Sequence, residues 1–208
     1  MTDDRHVFIN CPFDRRYRPL QRALLFAVHD CGFQARSALE VEDSGEARVQ
    51  KIVRIIGESA LGIHDISRVE LDGTSNLPRF NMPLELGLFL GAKAYGGDEQ
   101  RGKRALILDS EPYRYQKYCS DIAGQDIQAH GNKPHVAIEL VRNWLSTTRA
   151  AQGTVIPSGS VIAKRYRLYQ AKLPALCTKL HLDPRRLTFL DDIALVNSWL
   201  KEYPWASP

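Results

Sequence analysis

Two carboxylates in one stretch, Asp65 and Glu85 within residues 61–93 (LGIHDISRVELDGTSNLPRFNMPLELGLFLGAK), are the residues best placed to do chemistry. Asp65 closes a short apolar run, and the hydroxyl of Ser67 follows just beyond it. Glu85 lies in NMPLELGLFLGAK, which reads as a helix starting near Pro83 with Glu85 in its first turn. An ionised glutamate there is favoured by free backbone N–H groups and the partial positive charge of the helix end. Such a group can attack, or balance the charge of, an oxocarbenium-like carbon, which is the logic of glycosyl transfer. The same position equally suits an acid that only stabilises its helix. Asp65 reads either as a general acid or ribose/base acceptor, or as a cap for the N–H groups of the loop after it. His64 points to the opposite face of an alternating strand and is expected to pack.

Other candidates surround this pair. A polar loop with Asp72, Gly73, Asn76, Pro78, Arg79 and Asn81 joins the strand to the helix. Arg79 could hold a phosphate or simply be solvated. Asn10 and Asp14 flank an earlier loop, CPFDRRYRP, and could meet a ribose hydroxyl or form a turn. Tyr113, Tyr115 and Tyr118 could stack on a base, but packing is favoured. No GxGxxG, Walker loop, GxSxG or metal-ligand spacing is present.

The elements that must position these residues alternate. Strands are expected at 6–10, 33–38, 61–66 and 104–108, with a fifth, edge strand at 126–129. Helices are expected at 20–31, at 47–59 with Val49, Ile52, Val53 and Ile56 on one face, from Pro83 onward, and at 134–146. Residues 94–103 read as a polar turn. This order predicts an α/β fold, a flavodoxin-like parallel sheet with helices on both faces. In such sheets ligands bind at the carboxyl ends of the strands. After a Gly/Ser/Thr/Ala-rich linker at 147–160, helices are expected at 160–180, broken or bent near Pro174, and at 186–201. The division is an α/β domain over 1–148 and a helical C-terminal extension over 149–208, a small domain or a dimer arm.

Composition narrows the class. The chain has 208 residues, 44% hydrophobic and 25% charged, as for an ordinary globular protein. A net charge of +4, from 28 basic and 24 acidic residues, suits an anionic small molecule better than nucleic acid, because the basic residues are dispersed. No apolar run reaches a membrane span, and MTDDRHVFIN lacks a signal-peptide pattern. Four scattered cysteines read as reduced thiols in a cytoplasmic protein.

The set VFINCPFD, GIHDIS and RFNMPLELGLFLGAK resembles the nucleoside 2-deoxyribosyltransferase-like proteins and their TIR-like relatives, over about residues 6–145. The resemblance implies Glu85, within Leu84–Glu85–Leu86–Gly87, as nucleophile and Asp65 as acid or base-binding carboxylate. It matches Pro12 and Phe13 to the first loop. It implies an N-glycosidase, hydrolase or transferase, acting on a nucleotide, a nucleoside or NAD as substrate, with no cofactor and no metal. Arg79 and Asn81 stand where the transferases show an acidic, glycine-containing element, which favours a phosphorylated substrate. Arg79, with Arg15 or Arg16, would hold phosphate, Asn10 would contact the sugar, and a homo-oligomer would complete the site. The alternative is a non-catalytic TIR-like module that senses a nucleotide or binds a protein, as in bacterial defence.

Overall fold

The apolar runs read as strands form a parallel sheet in the computed structural model, which describes residues 2–71, 76–78 and 80–205. Asp72, Gly73 and Arg79 lie outside the described residues. The strands are β1 (Asp3–Asn10), β2 (Gln34–Arg36), β3 (Ser59–Asp65), β4 (Arg104–Asp109) and β5 (Gln128–Ala129). Their order is β2-β1-β3-β4-β5 and every pairing is parallel. This is the flavodoxin-like order that the alternation predicts. The chain runs outward from β1 to β2 and then crosses back to β3, so a crevice opens where the order reverses. Asn10 pairs with His64 across β1 and β3, so the two strands end level at that crevice.

Val7 and Ile9 of β1 pack toward α1 (Arg18–Asp30) and α5 (Pro134–Leu145), whereas Phe8 packs toward α2 (Arg48–Glu58) and α3 (Asn81–Tyr95). Burial on both faces is why β1 and β3 read as continuous apolar runs. β3 alternates in the same way. The His64 ring meets Phe8 and Phe89 on the α2/α3 face, while Asp65 turns to Tyr17 beside α1.

Several expectations shift. The buried face of α2 is Lys51, Ile52, Ile55 and Ile56, while Val49 and Val53 stay half exposed. Ile55 joins Phe8, Ile52, Ile56 and Phe89 in the core on this face, and Lys51 is buried with its ammonium donating to Val41 O. Residues 94–103 are not simply a turn. α3 runs to Tyr95 and α4 (Asp98–Arg101) follows. Lys103 then turns inward, donates to the carbonyls of Ile56 and Ser59, and sits over the Phe89 ring.

The C-terminal helices α6 (Gly159–Lys179) and α7 (Phe189–Glu202) share one hydrophobic cluster with α1, α5 and β1. α6 passes through Pro174 unbroken, its packed side chains Tyr169, Leu176 and Cys177 holding both halves to the core. α7 starts at Phe189, not Arg186, because Thr188 and Asp191 form a capping box there. Phe26, Tyr166, Tyr169 and Trp199 make an aromatic cluster. Arg165 bonds Asp30 and lies 4.8 Å from the Trp199 ring and 4.0 Å from that of Trp205. Among the described residues no helix is long and apolar enough to cross a membrane.

Gly62 shows how tightly β3 meets α3. A Cβ there would lie 2.7 Å from His64 Nε2 and 2.8 Å from the Phe89 ring. Gly62→Ala is therefore expected to lower stability by about 1–3 kcal/mol through overpacking, read as a fall in the urea midpoint at unchanged slope.

Candidate functional site

Where the strand order reverses, a cavity of about 710 Å³ opens at the carboxyl end of the sheet. The loop after β1 supplies Pro12, Phe13, Asp14, Arg15 and Arg16. The loop after β3 supplies Arg68, Glu70 and Leu71, and the first residues of α2 and α3 supply Arg48, Asn81 and Met82. Arg68 bridges Asp14 at 3.4 Å and Glu70 at 3.3 Å. Among the described residues, Arg15, Arg16 and Arg48 make no ion pair or side-chain hydrogen bond. Neither Ala47 nor Phe80, at the N-caps of α2 and α3, caps its helix with a side chain. Three unneutralised guanidinium groups and two open helix ends thus face one cavity, a setting for an anion.

Glu85 lies one turn beneath Asn81 and Met82, on the sheet-facing side of α3 with Leu86 and Phe89. It is only 3% exposed and makes no hydrogen bond or ion pair among the described residues. Burial pushes its carboxyl up to about 7, and the charge of Arg48 offsets only part of that. This changes the expected electrostatics. α3 begins at Asn81, not near Pro83, so Glu85 is beyond the first turn, where the helix charge has faded. Desolvation therefore outweighs the helix end, and the proton is held to near neutrality.

Asp65 is wholly buried and fully engaged. Its Oδ1 accepts from the Ser67 N–H at 2.9 Å, and its Oδ2 accepts from the Tyr17 hydroxyl. His130 Nε2 lies 2.9 Å from the same Oδ2, off the line of a good hydrogen bond. Asn132 N donates to His130 Nδ1, so the proton of a neutral ring sits on the Nε2 that faces Asp65. Burial and the Asp65 charge raise the Tyr17 hydroxyl far above its ordinary value, which keeps it a donor. Asp65 therefore takes the capping role and joins three segments. Tyr17 follows the first cavity loop, Ser67 begins the second, and His130 precedes α5.

The other expected residues divide. Pro12, Phe13, Asp14 and Asn81 line the cavity. Asn10 does not; it is wholly buried, donates to Met82 O at 2.8 Å, and lies 3.1 Å from His64 Nδ1, tying β1 to α3. Ser67 is 2% exposed with an unpartnered hydroxyl. His64 is packed, and burial holds its ring neutral at about 3. Tyr115 is core, Tyr118 bonds Asp109, and Tyr113 is exposed. Cys11 is buried beside the site, and burial, then the charges of Asp65, Glu85 and Asp14, keep its thiol protonated.

Arg48, Arg68, Glu70, Tyr17 and His130 were not legible as site residues. They come from four separate segments, the loop after β3 giving both Arg68 and Glu70, and no spacing marks them. Among the described residues no group of three or more His, Cys, Asp or Glu side chains is placed to hold a metal. No family model, curated protein or solved structure matches the chain.

Proposed function

We propose that the crevice binds a nucleotide through its phosphates and that Glu85 acts on its N-glycosidic bond. The observation that carries this reading is a buried, unpaired carboxyl beneath a cavity ringed by free arginines. Arg15, Arg16 and Arg48 take the phosphate charge, and Asn81 and Asp14 offer partners to ribose hydroxyls. As the bond from C1′ to the base breaks, the electron pair leaves with the base and positive charge develops on C1′. An ionised Glu85 meets that charge or attacks C1′, and water then supplies the oxygen that ends on the sugar. A substituent bearing positive charge over Glu85 also draws its proton off, offsetting the effect of burial.

Asp65 is left out of this scheme because both of its oxygens are occupied. That sealing favours a second reading, a module that binds a nucleotide without consuming it. Chromatography of NAD, nucleoside monophosphates and deoxynucleosides incubated with wild type and Glu85→Gln separates the two. Free base from wild type alone supports the enzyme, and intact ligand with both proteins supports the module.

Arg48→Ala probes the phosphate contact. It is expected to weaken nucleoside monophosphate binding at least ~10-fold at low salt while leaving the unphosphorylated nucleoside within about twofold. Titration calorimetry reads both. An equal loss for the two ligands would place Arg48 elsewhere than on the phosphate.

A further inference from the structure

α6 carries Lys164, Arg165, Arg167, Lys172 and Lys179 and no acidic residue. Arg165 is held by Asp30, and Lys179 by Glu202. Among the described residues, Lys164 and Arg167 make no ion pair or side-chain hydrogen bond. They stand one turn apart on the same side of the helix, where like charges repel and cost stability until an anion meets them. α6 lies beyond residues 6–145, outside the stretch that resembles the transferases and TIR-like proteins.

These two cations border a groove. At Gly159 the helices α5 and α6 touch, and a Cβ there would lie 2.8 Å from Glu139 Cα. Past that contact a cavity of about 500 Å³ opens between them. Pro134, Ala163 and Tyr166 give it an apolar floor, and Lys164 and Arg167 line its α6 side. That side runs from Ser160 to Gln170, roughly 15 Å at 1.5 Å per residue, the length of four or five extended residues. The floor is fixed in place. Tyr166 is 2% exposed, and its hydroxyl donates to Pro19 O and accepts from Gln170 Nε2, both at 3.0 Å. Leu168, next to Arg167 and one turn beyond Lys164, adds an apolar side chain 61% exposed at that rim.

We propose that this groove binds a short acidic peptide segment of a partner protein, with carboxylates on Lys164 and Arg167 and one apolar side chain on the floor. Charge complementarity selects the acidic residues. The apolar floor selects a peptide over a nucleic acid. Phosphates need only cations, and bases need an open aromatic face to stack on, whereas the Tyr166 ring is buried. A contact of this size makes a weak, reversible attachment. This inference rests on no part of the nucleotide reading.

Fluorescence anisotropy of the full chain with labelled pentapeptides, four acids around a central Leu, Ile, Val or Phe, is the test. At least one is expected to bind at about 100 μM or tighter at low salt, and its counterpart with lysines for acids not at all. Arg167→Glu should weaken that binding at least ~10-fold with helicity unchanged. Glu139→Lys, on the α5 side of the groove, should tighten it ~3-fold or more, and this gain keeps the test open if Arg167→Glu fails to fold. No acidic pentapeptide bound at ~1 mM overturns the proposal, as does binding that neither variant changes. So does a thymidine oligomer of about ten nucleotides that binds more tightly than every peptide at the same salt, which would make the surface a nucleic-acid site.

Discussion

Glu85→Gln is expected to abolish base release, by at least ~10³-fold, and at the same time to make the protein more stable above pH 7. The two effects share a cause. The carboxyl is held at about 7 by burial, against an ordinary 4.5. Below pH 4.5 it is protonated in both folded and unfolded chains and costs nothing. Between about 4.5 and 7 the unfolded chain releases the proton while the folded chain keeps it, so stability falls as pH rises. Above 7 the full cost remains, roughly 3 kcal/mol at 1.36 kcal/mol per pH unit. Glutamine has nearly the same shape and no charge to desolvate, so the variant escapes this loss. Urea midpoints at pH 4.5, 6 and 8 read the difference, with the wild type falling and the variant staying level by comparison. A variant that loses stability in step with wild type would mean the carboxyl is hydrated. Retained base release would remove Glu85 from the chemistry whatever the stability curve does.

Asp65→Asn should cost about 3–4 kcal/mol. The Tyr17 hydroxyl, the Ser67 N–H and the His130 ring all turn donors toward a carboxylate. An amide in its place sets a donor against one of them and leaves it buried without an acceptor. Tyr17→Phe removes a single donor and is expected to cost less, about 1–2 kcal/mol, and the two changes together should cost less than their sum. Denaturant unfolding of both single variants and the double variant measures this coupling. Asp65→Asn within about 0.5 kcal/mol of wild type, the ordinary scatter of surface changes, would sink the idea that this carboxylate anchors the crevice loops.

What sequence could reveal followed what was local. The strands at β1, β3 and β4 announced themselves as short apolar runs between helical patterns, and their order follows from that alternation. The ambiguity at Asp65 was not resolvable locally, because its partner Tyr17 is 48 positions away and a strand-end aspartate looks the same whether it is sealed or open. Glu85 stands out in the sequence as a candidate, but its environment does not. A proline near a helix start suggested N1, yet the helix begins at Asn81, and the change of position exchanges a dipole for burial as the dominant influence. The arginines around the crevice come from the β1 loop, the β3 loop and α2. Their convergence is a property of the crossover from β2 to β3, and no run of basic residues records it.

The packing of α6 and α7 on α1 sets a timetable for synthesis. Arg22 pairs with Asp192, 170 positions later, and Trp205 donates to Asp30 O across 175 positions. At 5–20 residues per second, α1 is made roughly 10–35 s before the residues that cover it. During that interval the apolar side of α1, with Phe26 at its centre, has no native cover from the C-terminal helices. A nascent chain of this protein is therefore most exposed to aggregation, and most in need of chaperone protection, along a helix from its first thirty residues rather than along the segment just leaving the ribosome.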